Sequence, residues 1–94
     1  GEALADLYVY RAFEFYTHLN DYDRAIADYN QAIRLNPKSA TVHRSRGNAY
    51  LQKKDIDRAI DDFSTAIRLD KKYVDAYISR GDAYHGRGDY DLAI

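Results

Sequence analysis

The sequence predicts an all-α solenoid of about 2.5 helix-turn-helix repeats stacked along one axis. Three features predict this fold: a repeat every 34 residues, apolar residues spaced three and four apart, and an aspartate before each second helix. A fixed period of about 20 to 50 residues is typical of stacked units that cannot bury their apolar faces alone. With 46% apolar and 31% charged residues, the 94-residue chain is expected to form one domain over 1–94.

The internal repeat appears when the chain is displaced against itself by 34 residues. Residues 21–35 then align with residues 55–69. Identical pairs include Asp21 with Asp55, Arg24 with Arg58, Ala25 with Ala59, Ser45 with Ser79, and Gly47 with Gly81. We therefore place repeat one at about 6–39, repeat two at 40–73 and a truncated repeat three at 74–94.

In repeat one, the first helix is expected to end before a turn at Asn20, and the second helix is expected to begin after Asp21. The Asp21 carboxylate can accept a hydrogen bond from one of the unpaired amides in the first turn of that helix. The dipeptide Asn36-Pro37 is predicted to end the helix, because proline disfavours a helical conformation in the residue before it.

Repeats two and three follow the same plan. The turn of repeat two falls at Lys54 and its second helix is expected to begin after Asp55, whereas repeat three turns at Gly88 and begins its second helix after Asp89. Lys54 occupies a place where a residue in the left-handed conformation, normally glycine, is preferred. One face of the second helix in repeat two is apolar and carries Ala59, Ile60, Phe63, Ala66 and Ile67.

Small and aromatic residues alternate in a pattern with a known counterpart. Repeat two carries small or aromatic residues at its eighth, eleventh, twentieth, twenty-fourth and twenty-seventh positions, namely Gly47, Tyr50, Ala59, Phe63 and Ala66. This pattern resembles the tetratricopeptide repeat (TPR) family, and the resemblance implies a right-handed solenoid. Repeat one departs from it, because Phe13 stands at the small eighth position. We expect its atypical first helix to sit farther out, to rotate, or to slip along its partner.

No group of residues predicts catalysis, a metal site or a cofactor. The chain has no cysteine, and His18, His43 and His85 lack the spacing of metal ligands. His43 falls on a core position that the resemblance assigns to a large ring, so we expect a packed imidazole. The segment 86–88 lacks the lysine and preceding strand of a phosphate-binding loop and is interpreted as a turn. The chain is therefore predicted not to be an enzyme.

The net charge of −1 provides no broad field for nucleic acid or an anionic membrane. Ten tyrosines invite a nucleic-acid stacking hypothesis, but the repeat assigns most of them to the core. An RNA-binding pentatricopeptide-type repeat remains an alternative, although it would repeat every 35 residues and be more basic. No apolar run or basic leader predicts a membrane segment or a signal peptide, so we expect a soluble chain. The compartment stays open, with the cytoplasm favoured.

The resemblance also implies a concave groove, lined by the first helices, that binds a protein or peptide. The residues it nominates are Tyr10, Arg11, Glu14, Arg44, Ser45, Asn48, Gln52, Asp75, Ile78, Ser79, Asp82 and His85. Chaperone-tail binders of the family grip a terminal carboxylate with lysines, asparagines and an arginine. Tyr10, Glu14, Ser45, Asp75 and Ser79 stand at those positions here. The two acids argue against a chaperone C-terminal tail as the partner.

Two functions are carried forward. The first is a non-catalytic scaffold that binds a protein or peptide segment in the groove. The alternative is a structural fragment that forms homo-oligomers, in which exposed repeat ends stack on other copies. This alternative is motivated by the end of the sequence at Ile94, only a few residues into the second helix of repeat three. In repeat two the rest of that helix covers the first helix, so Tyr84, Leu92 and Ile94 are expected to stay exposed.

Overall fold

A computed structural model describes residues 2–88 and contains five α-helices within that range. In chain order they are α1 (Glu2–Thr17), α2 (Tyr22–Leu35), α3 (Ala40–Gln52), α4 (Ile56–Leu69) and α5 (Val74–Arg87). Residues 2–88 include no β-strand, and the predicted all-α fold is confirmed. The expectations placed on Asp89, Leu92 and Ile94 lie outside the described residues.

Each helix packs against the next one in the chain, and α3 also contacts α5. The core is accordingly a row of three apolar clusters, and the first of them joins α1, α2 and α3. Tyr29 and Phe63, which occupy equivalent places in α2 and α4, are its largest fully buried side chains. Contacts of this kind, made only between neighbouring units, are typical of a solenoid.

The starts of α2 and α4 and the end of α2 agree with the sequence-based predictions, whereas α1 begins at Glu2, before the expected start of repeat one near residue 6. Asp21 accepts a hydrogen bond from the Arg24 amide at 3.1 Å, and Asp55 accepts one from the Arg58 amide at 3.4 Å. Helix α2 ends at Leu35, directly before Asn36-Pro37. Both caps supply an acceptor to an amide that the helix itself leaves unpaired.

The backbone directly after each of the first helices α1, α3 and α5 contains a left-handed residue. The backbone angle φ is +50° at Asn20, +69° at Lys54 and +94° at Gly88. The left-handed conformation predicted for Lys54 is confirmed. The Lys54 amide donates to the carbonyl oxygen of Leu51 at 3.0 Å, which closes the turn. A side chain bearing Cβ is strained in this conformation, whereas glycine is not.

Helix α1 is displaced by one residue relative to the 34-residue alignment. Ala12 is fully buried in the first cluster and Phe13 is exposed. Ala12 therefore takes the place against Tyr29 that Gly47 takes against Phe63. Of the three arrangements expected for this helix, the structure shows the slip.

The ion pairs show the same displacement. Arg11 donates from Nε and Nη2 to the two carboxylate oxygens of Asp28, both at 2.8 Å. Arg46 donates from the same two nitrogens to Asp62 at 2.9 and 2.7 Å. The two aspartates are 34 residues apart in the sequence, but the two arginines are 35 apart. The second helices thus keep the period while α1 does not.

The turn between α1 and α2 accounts for the slip, because it contains one residue more than its counterpart. Residues 18–21 connect α1 to α2, whereas residues 53–55 connect α3 to α4. The Asp21 amide donates to the carbonyl of Phe15, six residues back, and the Asp55 amide donates to that of Tyr50, five residues back. The inserted residue lengthens the turn, so α1 meets α2 one residue earlier.

Candidate binding groove

A cavity of about 120 Å³ opens between α1 and α3 on the side where the first helices lie next to one another. Its lining residues come from three helices and are Phe13, Tyr16, Tyr29, Arg44, Ser45 and Asn48. We name this cavity the Arg44 pocket. Sequence reasoning nominated Arg44, Ser45 and Asn48 for a groove, and the structure brings these three together.

Phe13 is a pocket residue that the sequence reasoning assigned elsewhere. With α1 displaced by one residue, Phe13 corresponds to Asn48 of α3 and faces the same groove. Its exposed ring contributes an apolar wall to the pocket. A signal for it was present, because a phenylalanine at a position requiring a small residue, preceded by Ala12, favours a shifted helix.

Arg44 is the cation of the pocket and connects two first helices. Its Nε donates to the hydroxyl of Ser79 at 3.2 Å, and its Cζ lies 5.9 Å from the centroid of the Tyr73 ring. Within residues 2–88, Nη1 and Nη2 of Arg44 make no hydrogen bond. Two nitrogens of a fixed guanidinium are thus available to a ligand carboxylate or carbonyl oxygen.

The two tyrosines of the pocket are neutral groups at physiological pH. Burial raises the pKa of Tyr29 above its ordinary value of 10.0, and a hydrogen bond with Ser45 offsets part of that rise. Burial likewise raises the pKa of Tyr16, and the Gln52 side chain offsets part of that rise. The charge in the lining of the pocket therefore comes from Arg44.

The nominated residues of α1 are engaged elsewhere. Arg11 is bound to Asp28, and Glu14 Oε2 lies 3.1 Å from Nδ1 of His18. Tyr10 lines a separate depression beside Leu7 on the far side of α1. The structure thus does not bring these three nominated residues into the Arg44 pocket.

Helix α5 supplies the remaining nominated residues. Ser79 is buried beneath Arg44, whereas Asp75, Ile78, Asp82 and His85 are exposed. The groove is therefore positive at α3 and carries two acidic side chains along α5.

His43 is buried at the place where a packed imidazole was predicted. Its Nε2 lies 2.9 Å from the carbonyl oxygen of Pro37, which can only accept, so Nε2 carries the proton. Across residues 2–88 no set of three or more histidine, cysteine or acidic side chains is placed to hold a metal ion. Among the helices of that same range, none has the length and apolar character needed to cross a membrane.

Stacked helix pairs with an open groove along the first helices define a helical-repeat protein. The profile of the TPR repeat family matches residues 15–54 and 47–88. The chain therefore belongs to the TPR repeat family, whose units are protein-interaction repeats. The comparison with curated proteins gave no match.

Solved TPR domains share the fold over almost the whole chain. The second TPR of Spaghetti (RPAP3), bound to the HSP90 peptide SRMEEVD, is 29% identical with a TM-score of 0.92, covering 98% of this chain and 84% of its own. The Arabidopsis OM64 TPR domain is 28% identical with a TM-score of 0.94, and the match covers 98% of this chain and 75% of the OM64 chain. The TPR2B domain of yeast Sti1, in complex with pHsp70, is 26% identical with a TM-score of 0.93, and the match covers 97% of this chain and 72% of the Sti1 chain.

The expectation that argued against chaperone tails is wrong. Two of these similar TPR domains are complexes with a chaperone ligand, an HSP90 peptide in one and pHsp70 in the other. The physical reason lies in α1, where Glu14 was expected to face the ligand. In the structure Glu14 lies against His18, and the pocket presents Phe13 and Arg44 instead.

Proposed function

We propose that the protein is a scaffold that binds a peptide in the groove formed by α1, α3 and α5. The observation that carries this proposal is the Arg44 pocket, where a guanidinium with two uncommitted nitrogens lies beside an exposed aromatic ring. Such a pair suits a ligand with a carboxylate next to an apolar side chain. The carboxylate binds the guanidinium in a charge-assisted contact, and the apolar group covers Phe13.

Charge along the groove suggests the direction of the bound peptide. Arg44 lies at α3, and the exposed acids Asp75 and Asp82 lie on α5. A peptide with an acidic end and a basic residue a few positions away would match both regions. The peptide SRMEEVD, bound by a similar TPR domain, has this composition and is a suitable first ligand. This chain would then use one arginine and one ring as its main anchor.

Fluorescence anisotropy with labelled SRMEEVD tests the proposal. Arg44→Ala is expected to weaken binding roughly tenfold, the factor given by about 1.4 kcal/mol. Phe13→Ser should also weaken binding, since the apolar wall is lost. The matched control is Arg68→Ala, which removes an exposed arginine from α4, outside the groove.

Amidation of the peptide's terminal carboxylate supplies a control on the ligand. It should reproduce the loss caused by Arg44→Ala and add little to that variant, because both changes remove one contact. Equal affinity of the Arg44→Ala and Arg68→Ala proteins would contradict the proposed site. Binding unaffected by Phe13→Ser would remove the aromatic ring from it.

A further inference from the structure

Helix α1 has an exposed apolar surface on the side away from the Arg44 pocket. Its residues surround a depression of about 450 Å³ and are Leu4, Leu7, Tyr8, Tyr10 and Arg11. We name this surface the α1 outer face. It does not share a residue with the Arg44 pocket, so an inference about it is independent of the proposed function.

The other two first helices show what such a face contacts. With the one-residue displacement of α1, Leu7 corresponds to Val42 of α3 and to Ala76 of α5. Val42 belongs to a buried cluster with Ala32 of α2, and Ala76 belongs to one with Ala66 of α4. Leu7 is 66% exposed, whereas Val42 is 8% exposed. In both internal cases this position packs on the second helix of the preceding repeat.

A polar contact accompanies the apolar one at each internal interface. Nη1 of Arg46 donates to Oδ1 of Asn30 on α2 at 2.9 Å, and Nη1 of Arg80 donates to Oγ of Ser64 on α4 at 3.4 Å. Arg11 is the equivalent arginine of α1, and its Nη1 has no acceptor among residues 2–88. Its side chain is 63% exposed, against 21% for Arg46.

We propose that the α1 outer face docks a helix of a partner protein that is built like α2 and α4. The internal interfaces define its chemistry: a small residue opposite Leu7, and an uncharged hydrogen-bond acceptor two residues before it, opposite Arg11. Helix α2 meets this requirement with Asn30 and Ala32, and α4 meets it with Ser64 and Ala66. The partner helix carries the pattern Asn or Ser, any residue, Ala, Ile.

A second copy of this chain is a poorer occupant. Helices α2 and α4 carry the required pattern, but α3 and α5 already cover those faces. Within residues 2–88 a second copy thus offers no uncovered helix of this kind. The partner is a separate amphipathic helix, whose apolar face is buried on docking.

A labelled peptide with the sequence of residues 56–69 serves as the probe, stapled on its polar face because an isolated helix of this length is marginal in water. The full chain is expected to bind it by fluorescence anisotropy. Leu7→Asn should weaken binding at least fivefold. Val74→Asn, which changes a side chain 64% exposed on α5, is the matched control and should leave affinity unchanged.

A probe with glutamate in place of the alanine equivalent to Ala66 should not bind, because the contact between that small residue and Leu7 is lost. Circular dichroism melting checks that the protein variants are folded, and Leu4→Asn replaces Leu7→Asn should the latter unfold. Should the probe bind the Leu7→Asn protein as tightly as the wild type, it has replaced α4 within the fold instead of docking on the α1 outer face. This result would overturn the proposal. Absence of binding, or an equal loss with Val74→Asn, also overturns it. Concentration-dependent mass of the wild-type chain that Leu7→Asn removes would assign the face to a second copy instead.

Discussion

Replacing Gly47 by alanine is expected to destabilise the protein, although alanine is the better helix former. A Cβ at Gly47 would lie 2.6 Å from Cε1 and 2.9 Å from Cδ1 of Phe63, and 3.1 Å from Cβ of Asp62. The nearest of these distances is about 0.8 Å short of the 3.4 Å at which ordinary contacts begin. Phe63 is fully buried, so its ring has no open space into which it can move.

The magnitude follows from two opposing terms. Forcing an extra methyl group into a packed core costs about 1 to 3 kcal/mol. Replacing a glycine inside a helix by alanine contributes about 0.5 to 1 kcal/mol in the other direction. At the middle of both ranges the net loss in the free energy of unfolding is about 1.25 kcal/mol. In a chain of this size that lowers the melting temperature by roughly 5 to 10 °C.

Thermal and urea unfolding followed by circular dichroism measure this change, and Gly86→Ala is the matched control. A Cβ at Gly86 would meet only Cδ1 of Ile56, at 3.9 Å. The same substitution should therefore stabilise the protein at Gly86 and destabilise it at Gly47. A Gly47→Ala protein as stable as the wild type would refute the tight packing of α3 on Phe63.

Three other substitutions test the turns, the ion pair and the buried ring. Lys54→Gly should raise the free energy of unfolding by about 0.5 to 1 kcal/mol, because φ at Lys54 is +69°. Lys53→Gly is the control and should lower the free energy of unfolding, because φ at Lys53 is −80°. A urea titration that ranks the two variants in the opposite order would contradict the left-handed turn. Asp62→Asn should lower the free energy of unfolding by about 2 to 3 kcal/mol in the same assay, since it leaves the largely buried guanidinium of Arg46 without its carboxylate. Asp61→Asn, at the exposed neighbouring residue, should change it by less than about 0.5 kcal/mol. Burial raises the pKa of Tyr29 above 10.0, so the folded chain holds the hydroxyl proton more tightly than the unfolded chain and loses stability as the pH rises above about 10. Between about pH 9 and 11, the Tyr29→Phe protein should therefore lose less of its free energy of unfolding than the wild type. Equal losses in the two proteins would count against the burial of that hydroxyl.

The repeat period predicted most of the fold of residues 2–88, because the local signals in repeat two agree with it. Asp55 caps α4 and Lys54 is left-handed, as the alignment with Asp21 and Gly88 implied. These features depend on residues a few positions apart, so the sequence alone contains the information needed to place them. The boundary of α2 at Asn36-Pro37 was predictable for the same reason.

The candidate site was predicted less completely, because its geometry depends on a single inserted residue. The turn between α1 and α2 is one residue longer than its counterpart, and no local pattern marks which residue is extra. The consequence appears five to nine residues earlier in the chain, where Ala12 and Phe13 exchange the roles that a 34-residue period assigns them. Arg11 was therefore nominated for the groove, although it binds Asp28. Ala12 before Phe13 favours a shifted helix, and the packing of Ala12 with Tyr29 fixes its register.

Chemical-shift mapping of the labelled protein during titration with the peptide SRMEEVD tests the proposed groove most directly. We expect the largest perturbations to cluster at Phe13, Arg44 and Asn48 and to disappear in the Arg44→Ala protein. Perturbations confined to the outer surfaces of α2 and α4, or a spectrum unchanged at millimolar peptide, would contradict it.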